Sequence, residues 1–181
     1  LNVLHERGPS RISPFLIPMM LPDTASSQIS MVYGIKGPNY CTVSACSSGS
    51  DAIGLALSML RDGSVDIVLA GGAEAPICPV GVGGFNACQA LSRRNNTPKS
   101  ASRPFDRGRD GFVLAEGAAM MVLETEESLQ RRGAIPLAKL TGYGASSDAY
   151  HMTQPSPDGE GAARAISLSL EDAGLEPHEI D

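Results

Sequence analysis

The stretch Tyr40-Cys41-Thr42-Val43-Ser44-Ala45-Cys46-Ser47-Ser48-Gly49, read on through Val65-Asp66-Ile67-Val68-Leu69-Ala70, decides the fold class. Residues 40–43 are β-branched and aromatic, which predicts a short buried strand. Ile53, Leu57 and Leu60 then recur at i, i+4 and i+7, and Leu55 and Met59 make the opposite face apolar as well. That pattern predicts a helix apolar on most sides, of the kind buried within a layered fold. Gly63 stops it, and residues 65–70 predict a second strand ending at Gly71-Gly72. Strand, helix and strand in this order are the mark of a parallel α/β sheet.

Working outward, residues 1–22 read as irregular, with Phe15-Leu16-Ile17 set between Pro14 and Pro18. Residues 24–33 predict a helix ending at Gly34. The long segment 76–110 is loop-rich, with a short helix expected at 84–91. A loop of that length in a compact domain is usually functional or meets a partner. Beyond it, 118–124 predicts a strand, 125–132 a short polar helix, 137–143 another strand, and 159–173 an Ala-rich helix closed by Gly174. No repeat, low-complexity tract or linker divides the chain, so 1–181 is read as one segment.

The chain has 181 residues, with 42% apolar and 19% charged residues, as a soluble globular protein does. A formal net charge of -6 argues against a general affinity for nucleic acid or anionic membrane. The one basic cluster (Arg93, Arg94, Lys99, Arg103, Arg107, Arg109) is diluted by Asn, Ser and Asp. It reads first as a solvated loop, and alternatively as a docking surface for an acidic partner. No apolar run reaches the roughly 20 residues of a membrane span, and the prolines at 9, 14, 18 and 22 interrupt any signal-peptide core. Four cysteines without a C-x-x-C pair read as reduced thiols, which places the protein in the cytoplasm. Scattered carboxylates and unspaced Cys and His residues give no metal site.

Cys46 sits where the first expected strand turns into the helix, where free backbone N–H groups and the positive end of the helix dipole converge. Both favour a reactive thiolate, and the same amides suit a developing oxyanion. Ala45, Ser47, Ser48 and Gly49 leave room for a substrate. The alternative is a small side chain that merely packs, as most free cysteines do. Cys41, Cys78 and Cys88 are read as structural. A thiol nucleophile normally needs a partner, most often His. His5 and His178 read as surface residues, while His151 lies in a loop between Gly144 and Pro155 and is either a hydrogen-bonded loop residue or part of a site.

Several motifs in order resemble the β-ketoacyl carrier-protein synthases. Val43-Ser44-Ala45-Cys46-Ser47-Ser48-Gly49 is similar to that family's nucleophile motif. Ala70-Gly71-Gly72-Ala73-Glu74, Gly81-Val82-Gly83-Gly84-Phe85 and Ala90-Leu91-Ser92 follow it. Ser102-Arg103-Pro104-Phe105-Asp106 and Arg109-Asp110-Gly111-Phe112-Val113 are very characteristic. Ser146-Ser147-Asp148-Ala149-Tyr150-His151-Met152-Thr153 resembles the elongating, type II bacterial branch. The resemblance runs from about residue 11 to 181.

That resemblance implies an α/β, thiolase-like fold, layered α-β-α-β-α and homodimeric. The chain would be an internal, incomplete segment of it: the later part of the N-terminal half and the start of the C-terminal half. It implies a ping-pong acyltransferase of fatty acid elongation. The acyl chain passes from the phosphopantetheine of acyl carrier protein to Cys46, and malonyl carrier protein then loses CO2 and attacks the thioester. No cofactor beyond the carrier-borne phosphopantetheine is implied. By the same matching, Phe85 lines the acyl pocket and Phe112 lies beside the reactive centre. Thr153, with His151 nearby, follows the pantetheine channel, and Leu16 and Ile17 reach the acyl tunnel. The family's decarboxylating histidines and lysine match none of His5, His151 and His178, so the 181 residues alone are expected to be inactive in condensation. A polyketide ketosynthase is the sibling alternative, although Val43-Ser44 stands where modular ones usually carry Asp-Thr. A non-catalytic partner of the chain-length-factor kind typically lacks the cysteine that is present here. A degradative thiolase lacks the motifs between Gly81 and Phe112.

Overall fold

The computed structural model of the chain describes residues 2–181. It clusters into two compact units: Leu1–Ala70 with Val122–Asp181, and Gly71–Met121. Their boundaries fall inside two strands.

In the first unit the expected irregular start is partly helical. α1 spans Asn2–Arg7, a 3-10 turn follows at Pro9–Arg11, and α2 spans Leu16–Met20. Residues 2–7 contain neither Gly nor Pro. Pro18 is the third residue of α2, within the first turn, where a helix needs no N–H from it. α3, Thr24–Tyr33, ends as expected at Gly34, which takes the left-handed conformation (φ 65°) that closes helices. α4 spans Ser48–Arg61 and buries Gly54, Ala56 and Leu57. Leu55, on another face, stays 39% exposed, so α4 is buried on one side rather than all round.

β1, Ile67–Glu74, continues through Gly71-Gly72 rather than ending there. The second unit carries α5 at Pro79–Ala87 in place of the helix expected at 84–91. Pro79 at the first helical position presets φ, and Cys78 caps the start, its Sγ accepting the Gly81 N–H at 3.4 Å. β2, Gly117–Glu124, and α6, Glu126–Arg131, match expectation. The Thr125 hydroxyl oxygen accepts the Ser128 N–H to start α6. α7, Glu160–Ala173, closes at Gly174 in the left-handed conformation.

The one named sheet among the described residues pairs β1 with β2. The Thr125 N–H donates to the Asp66 carbonyl, while Gly71 lies against Ala119 and Met120. Advancing along one strand is retreating along the other, so the pair is antiparallel; β2, and not residues 40–43 as the expected parallel partner, lies beside β1. Residues 40–43 and 137–143, both expected as strands, form no ladder. Neither has a neighbouring strand among the described residues with which to exchange backbone hydrogen bonds.

Residues 142–144 nevertheless keep the two-residue alternation of a strand. Gly142 and Gly144 approach the backbone of α7 so closely that a Cβ on either would strike Ser169, Ala173 or Ala165. Tyr143 points the other way and lays its ring on Gly54 of α4, where no side chain would fit. The segment is thus held between two helices of the first unit. A guanidinium fork secures it: Arg61 of α4 donates to both Asp172 oxygens of α7 (2.8 and 2.9 Å) and to the Thr141 carbonyl (2.8 Å). The Tyr143 N–H also donates to Asp172, at 2.8 Å.

Candidate active site

Cys46 occupies the middle of a 3-10 turn, Ala45–Ser47, that runs directly into α4. Its thiol is free and exposed, as are those of Cys41, Cys78 and Cys88. The side chain leaves the backbone where the first N–H groups of a 14-residue helix begin. Ala45, immediately before it, has φ 54°, the left-handed region that an L-residue enters at a cost of about 1–2 kcal/mol.

Hydrogen bonds cross this turn in both directions. The Ser44 N–H donates to Ser48 Oγ (2.9 Å), and the Ser48 hydroxyl donates to the Ala45 carbonyl (2.7 Å). The Ser47 hydroxyl donates to the Ser44 carbonyl at 2.8 Å. The Thr42 hydroxyl donates to the Ser48 carbonyl at 2.8 Å. The Ser44 hydroxyl donates to Asp51 Oδ2, and the Tyr143 hydroxyl donates to Asp51 Oδ1.

The electrostatics follow from these bonds. Hydrogen bonds first from Ser44 and then from Tyr143 hold the Asp51 carboxyl below the usual carboxylate range, against the opposing effect of burial. The Asp51 carboxylate in turn pushes the Tyr143 phenol up to about 12, with burial adding to it. Sequence alone does not mark Ser44, Asp51 and Tyr143 as site residues. An acidic residue in the first turn of an otherwise apolar helix was the available signal for Asp51. Tyr143, 92 positions away, carried none.

His151 and Thr153 lie in one loop and are hydrogen-bonded to each other. Nδ1 of His151 accepts the Thr153 N–H (3.1 Å) and the Gln154 N–H (3.2 Å). His151 therefore helps to organise its own loop. Asp148 helps by accepting the Ser156 N–H at 2.8 Å. Leu16 and Ile17 lie on α2, with Ile17 61% exposed.

Phe85 and Phe112 belong to the second unit. There they meet edge to face, with centroids 6.2 Å apart and planes at 87°. A parallel bridge between Leu91 and Phe112 brings the loop ends together. Asp110 gathers the Ser92 hydroxyl (2.8 Å), the Arg93 N–H (3.2 Å) and Arg94 Nε (3.1 Å). These bonds, that from Ser92 foremost, lower the Asp110 carboxyl. The basic cluster is partly spent internally: Arg94 also reaches the Gly108 carbonyl, and Arg109 donates to the Asp106 carbonyl. Among the described residues no cluster of His, Cys, Asp and Glu side chains suits a metal ion, and no helix is long and apolar enough to cross a membrane.

A free thiol at a strained turn into a helix, within these ordered motifs, fits one family. The chain belongs to the β-ketoacyl synthases: the model of the N-terminal domain matches residues 1–128 and that of the C-terminal domain 137–181. It is similar to 3-oxoacyl-acyl-carrier-protein synthase 2 of Staphylococcus aureus, at 48% identity over 177 residues, covering 98% of this chain and 44% of that protein. The protein of the same name from Synechocystis is also 48% identical, over 99% of this chain and 43% of its own length. The chain thus spans less than half the length of these curated relatives. Among solved structures, a type II polyketide ketosynthase in complex with its acyl-carrier protein and bound to the hexaketide superimposes with a TM-score of 0.91 at 37% identity, covering 96% of this chain and 43% of that one. A β-ketoacyl synthase from Burkholderia phymatum does so at 0.90 and 40% identity, covering 99% and 43%. The expected α/β, thiolase-like ketosynthase fold is therefore the one this chain adopts part of.

Proposed function

We propose that this chain is the nucleophile-bearing part of a condensing enzyme of fatty acid elongation. Cys46 takes an acyl group from the phosphopantetheine of acyl carrier protein. The thiolate attacks the thioester carbonyl, the carrier thiolate leaves, and the acyl chain remains on Cys46. Malonyl carrier protein then loses CO2, and its carbanion displaces Cys46 to give the β-ketoacyl product. None of the three histidines matches the family's decarboxylating positions, so that half-reaction needs groups these 181 residues do not carry. The enzyme works in the cytoplasm as a homodimer and uses no cofactor of its own. The family resemblance assigns Phe85 and Phe112 to acyl binding, Thr153 and His151 to the pantetheine, and Leu16 and Ile17 to the acyl tunnel.

The placement of Cys46 carries this reading: an exposed thiol at the start of α4, in a turn whose serines bond to one another on both sides of it. The 48% identity to the two synthases supports it. The test is acyl transfer from acyl carrier protein to the full-length protein, read by peptide mass spectrometry. Acylation on Cys46 is expected, with none in Cys46→Ala; undiminished acylation of Cys46→Ala overturns the assignment. A polyketide ketosynthase is the second reading, favoured by the TM-score of 0.91 to such an enzyme. Products that keep their keto groups through successive rounds would select it over fatty acid elongation.

A further inference from the structure

The turn at Cys46 contains a left-handed alanine held by serine bonds that reach no further than Ser48, the first residue of α4. Ser44 is the hub: its N–H, its carbonyl and its hydroxyl all make hydrogen bonds, and only the hydroxyl reaches beyond the turn's serines. It ends on Asp51, which sits one turn into α4 and takes its other hydrogen bond from Tyr143. Tyr143 is fixed in turn by its ring on Gly54 and by the segment's close approach to α7.

We propose that Tyr143, acting through Asp51 and Ser44, is a positioning residue that sets the geometry of the Cys46 turn. It touches no reacting atom. A conformation as unfavourable as φ 54° at Ala45 persists only where its surroundings over-determine it; beside the bonds to Ser48 at the very start of α4, this chain of hydroxyl and carboxylate ties the turn deeper into α4 and, through Tyr143, to the segment packed on α7. The two hydroxyls donating to one carboxylate also account for its lowered pKa and for the raised one of Tyr143. The inference rests on Cys46 being the reactive thiol of the proposed acyl transfer.

The test uses two charge-neutral changes, Ser44→Ala and Tyr143→Phe, singly and together, in the full-length protein. The rate of Cys46 alkylation by iodoacetamide is read by peptide mass spectrometry, with the exposed Cys78 and Cys88 as internal standards. Each single change is expected to slow Cys46 about fivefold relative to the standards, as loss of one hydrogen bond does, and the double change to slow it no further than either alone. Ser44→Thr, which keeps the hydroxyl, restores the rate. Multiplied effects in the double variant, or an unaltered Cys46 rate in folded single variants, overturn the proposal. Continued acylation of Cys46→Ala would instead sink the acyl-transfer reading, so the two failures are distinct.

Discussion

At its C-terminal end α4 offers Arg61, a permanent cation, to Asp172 and the Thr141 carbonyl. At its N-terminal end it offers Asp51, an anion, to the hydroxyls of Ser44 and Tyr143. Both ties reach the same few residues, 141–143, yet they differ in what lies beside them. The backbone near Arg61 is ordinary helix, capped by Asp62 in a regular conformation. The backbone near Asp51 leads back to a left-handed alanine and Cys46. A charged fork on regular backbone serves stability; a neutral-donor network beside strained backbone serves placement.

The largest expected effect comes from striking between the two ends. Gly54→Val forces the Tyr143 ring off α4. We expect a loss of about 1–3 kcal/mol by urea unfolding, as overpacking costs, together with slowed Cys46 alkylation. Arg61→Ala should separate the two roles. Its partly exposed pair predicts a fall in Tm of only about 2–4 °C, with Cys46 alkylation unchanged against Cys78 and Cys88. A Cys46 rate that followed Arg61 would show that the two ends are not independent. Ala45→Gly should do the converse, raising stability by about 0.5–1 kcal/mol through relief of the left-handed strain, while lowering acyl transfer to Cys46.

The smallest effects are those of pH. The Tyr143 pKa is raised to about 12 in the folded protein, above its ordinary value of about 10. Its contribution is therefore full below pH 10 and lost as pH rises through 12. The corresponding ultraviolet phenolate step should vanish in Tyr143→Phe. Asp51 and Asp172 are lowered, by Ser44 and Arg61 foremost. Their contribution is present above the ordinary carboxylate value, near pH 4, and is lost as pH falls further. Acid unfolding of Asp172→Asn should shift less with pH than that of the parent.

The helices were legible where local chemistry closes them: Gly34 and Gly174 end α3 and α7 because each takes a left-handed cap that few other residues accept. β2 was legible because its apolar run is bounded by Gly117 and the capping Thr125. Residues 40–43 and 137–143 have strand composition, but a ladder needs a partner strand, and composition does not say whether one is there. The structural reading of Cys78 has a specific form, since its sulfur caps α5 and so sets where that helix starts. At the site, Cys46 stood out by its place before α4. Tyr143 and the φ of Ala45 were invisible, since one depends on a contact spanning 92 residues and the other on backbone torsion that alanine does not advertise.

The Gly142-Tyr143-Gly144 triplet also bears on how this protein could be altered. It makes no sheet ladder and lies nearly a hundred positions from the cysteine, so a library designer would treat it as a free spacer. With α7 against both glycines and α4 against the tyrosine ring, almost every enlargement there pushes on one helix or the other. A saturation library across these three codons should return few functional clones, those at position 143 keeping a flat aromatic ring.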